Sequence, residues 1–284
     1  MWKFWNPIYA AAMPEILHST PATVASSNRI QGSLAPTWTL FYKETLRFGK
    51  VWLQTIAAPL ITTILYLVVF GHALGSHITV YPGVSYTAFI VPGLMMMSVL
   101  QNAFANSSSS LIQSKVTGNI VFVLLSPLTP TEIFTAMVAA SVFRGILVGL
   151  AIFALALLYL HIPVLHPFWI LVFAILGASG MGSLGLIAGL WAEKFDQIAG
   201  FQNFVIMPLT FLAGVFYSVQ SLPGIWRQIS LINPFFYIID GFRYGFFADS
   251  DVSVWASLGV SLAFALITGF FAWRLLDRGY KLRQ

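Results

Sequence analysis

Stretches of about 20 residues almost free of charge recur along this chain, each long enough to cross the hydrocarbon core of a bilayer. Six are expected: residues 51–70, 86–105, 133–160, 168–191, 201–217 and 254–273. The predicted fold class is therefore an all-α membrane protein with six transmembrane helices. Composition agrees, with 58% hydrophobic and only 8% charged residues, against roughly 25% charged in soluble domains. So few charges cannot coat a soluble globule, which excludes a cytosolic enzyme and a disordered chain. The net charge of +5 is scattered between apolar runs and forms no patch for nucleic acid. The chain has no cysteine, so disulfides, thiolate metal sites and a cysteine nucleophile are excluded.

Lysine and arginine fix the expected orientation. With both termini in the cytoplasm, Lys3, Arg29, Lys43, Arg47, Lys50, Lys115, Lys194, Arg274, Arg278, Lys281 and Arg283 lie inside. Arg227 and Arg243 lie outside, and Arg144 falls within the third span. No cleavable signal peptide is evident. Residues 1–36, with Pro14, Pro21, Pro36 and a Ser/Thr-rich stretch, read as a loosely ordered cytoplasmic tail ahead of a membrane domain over 37–284. From Thr37 to Lys50, aromatics and leucine alternate with Lys43, Glu44, Arg47 and Lys50 at helical spacing, the pattern of an amphipathic interfacial helix.

Two connections are too unusual to be plain loops. The one between spans two and three, from Asn106 to Pro130, is long and ends in Leu125-Ser126-Pro127-Leu128-Thr129-Pro130. It predicts a short helix broken by two prolines, suited to docking on a soluble partner, or a simple interfacial helix. The stretch after span five, through Leu222-Pro223, Asn233-Pro234 and Tyr237 to Arg243-Tyr244, is too apolar for a loop yet too interrupted for a span. It reads as re-entrant or surface-lying helices at the outer face. Asp240 and Arg243, three apart, are expected either to pair with each other or to meet substrate.

Arg144 is costly inside a span, and snorkelling or structural pairing is weighed against a functional role. Span four carries Gly177, Gly180, Gly182, Gly185 and Gly189, a pattern for close helix packing. Gly177-Ala178-Ser179-Gly180 also matches the serine surroundings of rhomboid proteases, but no predicted span holds a histidine to serve as base. His72, His77, His161 and His166 read as interfacial residues rather than metal ligands. No phosphate-binding Gly-x-x-x-x-Gly-Lys-Ser/Thr sequence is present, so ATP energy has to come from another subunit. The alternatives are a self-contained secondary carrier or channel, or an intramembrane enzyme.

Together, Phe89-Ile90-Val91-Pro92-Gly93-Leu94-Met95-Met96-Met97-Ser98, Leu125 to Pro130, Pro208 to Phe216, Leu222-Pro223, Asn233-Pro234, Tyr237 and Arg243-Tyr244-Gly245 resemble the permease subunits of bacterial ABC-2 type transporters. The likeness runs from about Thr37 to the C-terminus, and is to the branch of nodulation-factor and drug or polysaccharide exporters. It implies an inner-membrane homodimer of permeases with two cytoplasmic ABC ATPases, which bind the ATP and Mg. This chain itself would then hold no cofactor, no metal and no catalytic residue. It implies a coupling helix over 118–130 with Asn119, Phe122, Leu124, Leu125, Ser126, Pro127 and Leu128 on the ATPase. It further implies an interfacial gate helix with Lys43, Glu44 and Arg47, and extracellular re-entrant helices with Pro223, Asn233, Pro234, Tyr237, Asp240 and Arg243. Tyr66, Phe104, Phe211 and Phe216 would line the path of an amphipathic, lipid-linked or glycan substrate. Two departures stand out. Val121-Phe122 replaces an acidic pair of many relatives, and the first 35 residues are longer than usual.

Overall fold

The computed structural model describes residues 35–74, 80, 81 and 83–281. The predicted tail up to Leu34, with Lys3 and Arg29, lies outside the described residues, as do His77 and Arg283. The described residues form helices and turns with no strand. In chain order the helices are α1 (Ala35–Gly49), α2 (Trp52–Leu74), α3 (Tyr86–Val116), α4 (Ile120–Leu125), α5 (Pro130–Leu157) and α6 (Pro167–Trp191). They continue with α7 (Phe195–Phe201), α8 (Met207–Phe211), α9 (Gly224–Ile232), α10 (Pro234–Phe247) and α11 (Val254–Asp277).

Five of these are long and apolar enough to cross a membrane: Trp52–Gly71 within α2, then α3, α5, α6 and α11. With so few polar side chains, hydrocarbon leaves their backbones no partner but themselves, and the helix is the local solution. The chain is an all-α membrane protein. α3 is almost wholly enclosed by its neighbours, whereas α2 and α11 leave most of their apolar surface outward.

The predicted fifth span differs. Residues 195–211 form α7, a π-helical turn over Gln202–Ile206 and α8, pieces of seven, five and five residues, none of which is among the five helices long and apolar enough to cross a membrane. The π turn sits just before Pro208, which has no N–H to give an α-helix, and the Met207 N–H donates instead to the Gln202 carbonyl. The chain leaves the helix at Leu212 and turns through Gly214 at φ +74°, so Ala213 to Tyr217 are not helical as expected.

The second-to-third connection is also shorter than expected, because α3 runs on to Val116. Its Asn106-Ser-Ser-Ser-Ser run looks turn-prone, yet Asn106, Ser107, Ser108 and Ser110 are buried helical residues. Three of them have partners within the bundle: Asn106 donates to Ser141 Oγ at 3.2 Å, Ser108 donates to the Phe104 carbonyl at 2.8 Å, and Ser107 and Ser141 share a hydrogen bond at 2.6 Å. α5 likewise starts at Pro130, earlier than expected. Thr129 and Glu132 form a capping box around that start, with Glu132 Oε2 accepting from the Thr129 N–H at 2.7 Å. Pro130 therefore opens α5 rather than breaking the short helix before it.

The glycines of α6 explain how α3 comes so close. A Cβ at Gly185 would land on the Phe104 carbonyl oxygen, and one at Gly189 would meet Leu111 Cβ at 2.8 Å. The carbonyl end of α6 is gripped from two sides. Lys115 Nζ of α3 donates to the Leu190 and Ala192 carbonyls at 2.9 and 2.6 Å. Lys281 Nζ, beyond α11, reaches the Trp191 carbonyl at 3.2 Å and Glu193 Oε1 at 2.7 Å. Cations at a helix C-terminus complement its dipole and its unpaired carbonyls.

Candidate coupling and transport sites

The predicted amphipathic helix is α1, and its charges face inward as well as out. Glu44 is only 2% exposed. Arg47 Nε donates to Glu44 Oε2 at 3.0 Å, while the rest of the guanidinium crosses to α3. Nη1 donates to Ser109 Oγ at 3.1 Å, and Nη2 donates to the Asn106 carbonyl at 2.8 Å and to Asn106 Oδ1 at 3.0 Å. Asn106 Nδ2 in turn donates to Ser141 Oγ of α5 at 3.2 Å. The fork of Arg47 thus bolts α1 to α3, and Asn106 carries the link on to α5. Lys43 stays half exposed, 4.0 Å from Glu44 Oε1. On the apolar side, Phe41 and Phe48 both pack against Phe143 of α5, with ring centres 6.1 Å apart in each case.

α4 is the short helix expected in the second-to-third connection. It is six residues long and none of them is buried, with Phe122 73% and Leu125 78% exposed. Between α1, the end of α3 and α4 lies a groove of about 630 Å³. Lys43, Glu44, Arg47, Asn119, Phe122, Ser126, Pro127 and Leu128 all line it, so most predicted gate and coupling residues meet at one place. Leu124 lines instead a small adjoining cavity with Leu40, Ile133 and Leu276, and Leu125 is exposed.

At the opposite end, α9 and α10 are the two short helices expected after span five. Pro223 caps α9, which is mostly exposed. Asn233 caps α10, its Oδ1 accepting from the Phe235 N–H at 3.0 Å and its Nδ2 donating to the Leu209 carbonyl at 2.6 Å. Pro234 follows at the first helical position, and Tyr237 OH donates to the Leu231 carbonyl at 2.8 Å.

Asp240 and Arg243 are fully buried and do not bond to each other. Asp240 accepts from the Asp251 N–H at 2.8 Å, with Val252 N–H and Ser257 Oγ both at 3.4 Å. Arg243 Nη2 donates to the Gly214 carbonyl at 2.7 Å, and the guanidinium lies over the Phe89 ring. Gly93 opens the space, since a Cβ there would stand 2.7 Å from the Val215 carbonyl oxygen and 3.2 Å from Arg243 Nη2. Both residues have structural partners, which removes them from direct substrate contact in this conformation. Asp251 completes the knot, accepting from Ser218 Oγ at 2.6 Å and the Val219 N–H at 2.7 Å. Sequence reasoning missed Asp251 and Ser257, and their distance along the chain from Asp240 gave no signal.

Of the predicted path residues, three come together and one does not. Tyr66 and Phe70 of α2 pack on Phe216 with ring centres 5.2 and 4.9 Å away, and Phe211 stacks on Phe216 at 5.7 Å. Tyr86 OH holds the Phe216 carbonyl at 2.9 Å. Phe104 is buried elsewhere, stacked on Phe201 at 5.6 Å and pressed against α6. Arg144 sits midway along α5, its Nη2 donating to Asn102 Oδ1 at 3.2 Å. His166 stacks on Tyr244, and among the described residues no cluster of His, Cys, Asp or Glu is close enough to hold a metal ion.

The exposed short helix over a groove and the buried knot around Asp240 and Arg243 both lie in the stretch that carries the resemblance, whereas the break at residues 202–206 was not expected from it. The family model for "ABC-2 type transporter" matches residues 36–247. The chain belongs to the ABC-2 type transporter permease family. That match takes the ABC-2 chain from the start of α1 to the end of α10, so it contains the groove and, of the knot, Asp240 and Arg243 but not Asp251. The chain is similar to Inner membrane transport permease YadH of Escherichia coli (strain K12), at 39% identity over 245 residues, 86% of this chain and 96% of that protein. It is similar to Nodulation protein J of Rhizobium leguminosarum bv. viciae, at 28% identity over 240 residues covering 83% and 92%. Probable multidrug ABC transporter permease YbhR of Escherichia coli (strain K12) is 26% identical over 203 residues, 69% of this chain and 54% of its own length.

Proposed function

We propose that this ABC-2 permease is the membrane half of an ATP-driven exporter. Two copies work with two cytoplasmic ABC ATPase subunits, which bind ATP and Mg, and move an amphipathic, lipid-linked or glycan substrate across the inner membrane. Both termini face the cytoplasm, as the distribution of Lys and Arg favours. In this reading residues 195–211 complete a sixth crossing with the turn that follows, and α9 and α10 are the re-entrant pair at the outer face.

The observation that carries the reading is α4, an apolar helix with no buried residue, beside a groove whose other wall is α1. Exposed apolar surface of this kind at a polar rim marks a protein contact. An ATPase seated on Phe122, Leu125 and Leu128 would move α4 when ATP closes the ATPase pair. The groove shared with α1 passes that displacement to Arg47, whose hydrogen bonds lead to Asn106 on α3 and Ser141 on α5. The two ends of the switch are alternative packings biased by a ligand that this chain never touches.

The test is co-purification with the native ATPase through a tag on this subunit, followed by mass measurement and ATP hydrolysis. A two-plus-two complex whose hydrolysis falls at least tenfold when Phe122 and Leu125 become Asp is the expected result. A solo oligomer that carries substrate without an ATPase, indifferent to those substitutions, would replace the exporter with a self-contained carrier.

A further inference from the structure

Arg144 stands midway along the long span α5, and no carboxylate among the described residues pairs with it. Its single hydrogen bond goes to Asn102, its Nε is buried without an acceptor, and Phe48 covers it at 6.0 Å from the ring centre. The charged group that acts on it most is Arg47, of the same sign. An arginine has five N–H donors and no acceptor, so one amide oxygen leaves most of that capacity and all of the charge unanswered. A second unanswered donor lies next door: Gln101 Nε2 is also buried without an acceptor.

Gln101 itself, and Asn102 on behalf of Arg144, reach the same space. Gln101 and Asn102 line a cavity of about 190 Å³ between α2 and α3, together with Thr62, Thr63, Tyr66 and Ser98. Hydroxyls and amides on one side, a guanidinium held behind Asn102 and no carboxylate in the lining give the pocket a surplus of hydrogen-bond donors and positive charge. Tyr66 belongs both to this cavity and to the aromatic run through Phe70, Phe216 and Phe211, so an apolar continuation starts where the polar pocket ends. The volume fits a headgroup and leaves an acyl or polyprenyl tail to lie along α2, whose outer side is open.

We infer that Arg144, Gln101 and Asn102 form an anion-recognising subsite for the phosphate or carboxylate headgroup of an amphiphile within the bilayer. Arg144 supplies charge, Asn102 fixes the guanidinium plane, and Gln101 donates to a second oxygen. As a substrate subsite this rests on the exporter reading above. As a site for a resident anionic lipid it does not.

The test uses the full chain in phosphatidylcholine nanodiscs and two fluorescent short-chain probes, a phosphatidylglycerol and the matching phosphatidylcholine. Wild type should bind the anionic probe at least tenfold more tightly. Arg144→Gln should bring the two affinities within twofold of each other, Arg144→Lys should keep an intermediate preference, and Gln101→Leu should lower it severalfold. Arg227→Gln, an exposed change on α9, should leave it unaltered. If Arg144→Gln fails to yield a monodisperse protein, Arg144→Lys and Gln101→Leu carry the test. No headgroup preference in wild type, or a preference that survives these pocket variants, overturns the subsite. Adding the ATPase separates the sources. Hydrolysis stimulated by the anionic probe and lost with the pocket variants marks a transported headgroup, and binding without stimulation marks a resident lipid. If no ATPase assembles while the preference persists, the exporter reading fails and the subsite stands.

Discussion

The guanidinium carbon of Arg243 stands 4.0 Å from the centre of the Phe89 ring, and both residues are buried. Phe89 is the first residue of the Phe-Ile-Val-Pro-Gly segment and Gly93 the last, so that segment is a seat for Arg243. The aromatic supplies the face on which the cation lies, and the glycine leaves room for the Val215 carbonyl beside it. The N-terminal end of α3 is thereby joined to α10 and to the turn after α8.

Arg243 and Phe89 should behave as one unit in thermal unfolding of the purified protein. Arg243→Lys and Phe89→Leu are each expected to cost about 1–2 kcal/mol, the range of a desolvated cation–π contact. The double variant should cost less than their total by at least about 0.5 kcal/mol. Strict additivity would mean that the contact carries no energy.

Arg47→Ala should free α1 from α3 and leave Glu44 buried beside nothing but Lys43. Hydrogen bonds to charged groups contribute about 1.5–3 kcal/mol, and the loss should appear as faster amide exchange over residues 38–49 with little change in α5. Combining it with Glu44→Gln should restore part of the protection, because the stranded charge goes with it. Unchanged exchange in Arg47→Ala would mean that Arg47 does not hold α1 to α3, and would take it out of the proposed route from α4 to α3 and α5.

The clasp between Lys281 and Glu193 should open at both ends of the pH scale. The hydrogen bond from Lys281 holds the Glu193 carboxyl below the ordinary carboxylate range, and the same bond holds the Lys281 amine above its ordinary value. A depressed carboxylate contributes above its unfolded pKa and loses that contribution as pH falls through the folded value. A raised amine contributes below its unfolded pKa and loses it as pH rises through the folded value. The clasp is therefore intact from about pH 5 to about pH 10. Spin labels at Asp196→Cys and Arg278→Cys, easily made in a chain without cysteine, should give a narrow distance distribution inside that window and a broad one outside it. Lys281→Met should be broad throughout.

Gly185→Ala should destabilise by about 1–3 kcal/mol, since its methyl falls on the Phe104 carbonyl of the enclosed helix α3. Gly259→Ala in α11 has nothing within 4 Å and should be neutral or stabilising by up to about 1 kcal/mol. Equal melting points for the two variants would contradict the close packing of α3 on α6.

Where one residue pattern decided the local structure, the sequence was readable. α2, α5, α6 and α11 are long apolar runs and lie within a few residues of expectation, and α4 ends just ahead of Pro127 as the prolines require. Legibility failed where tertiary partners outbid local pattern. The serine run of α3 is polar enough to suggest a loop, but Ser141 and the Phe104 carbonyl satisfy it inside the bundle. Asp240 and Arg243 have the spacing of an ion pair, yet Asp240 finds the Asp251 N–H and Arg243 finds the Gly214 carbonyl, neither visible from residues 240–243. Asn102 was unremarkable until α5 brought Arg144 to it from 42 positions away. Of the four aromatics expected on the path, Phe104 differs because α6 presses glycine against its backbone, a contact that hydrophobicity alone does not reveal.

The π turn at Gln202–Ile206 makes chain length itself a coded quantity. One extra residue sits in that turn, and each α-helical residue advances the side-chain direction by about 100°. With it, Phe201 meets Phe104 before the turn, and after it Phe216, with Phe211 stacked on it, meets Tyr66 and Phe70 of α2. A lineage that lost a single codon there would keep every hydrophobic residue and still turn Phe211 and Phe216 together away from Tyr66 and Phe70 of α2. Substitutions in this segment act one side chain at a time, whereas an insertion or deletion re-aims everything downstream together. Descent of this chain is therefore expected to have kept the spacing between Phe201 and Phe211 more strictly than the identity of the residues between them.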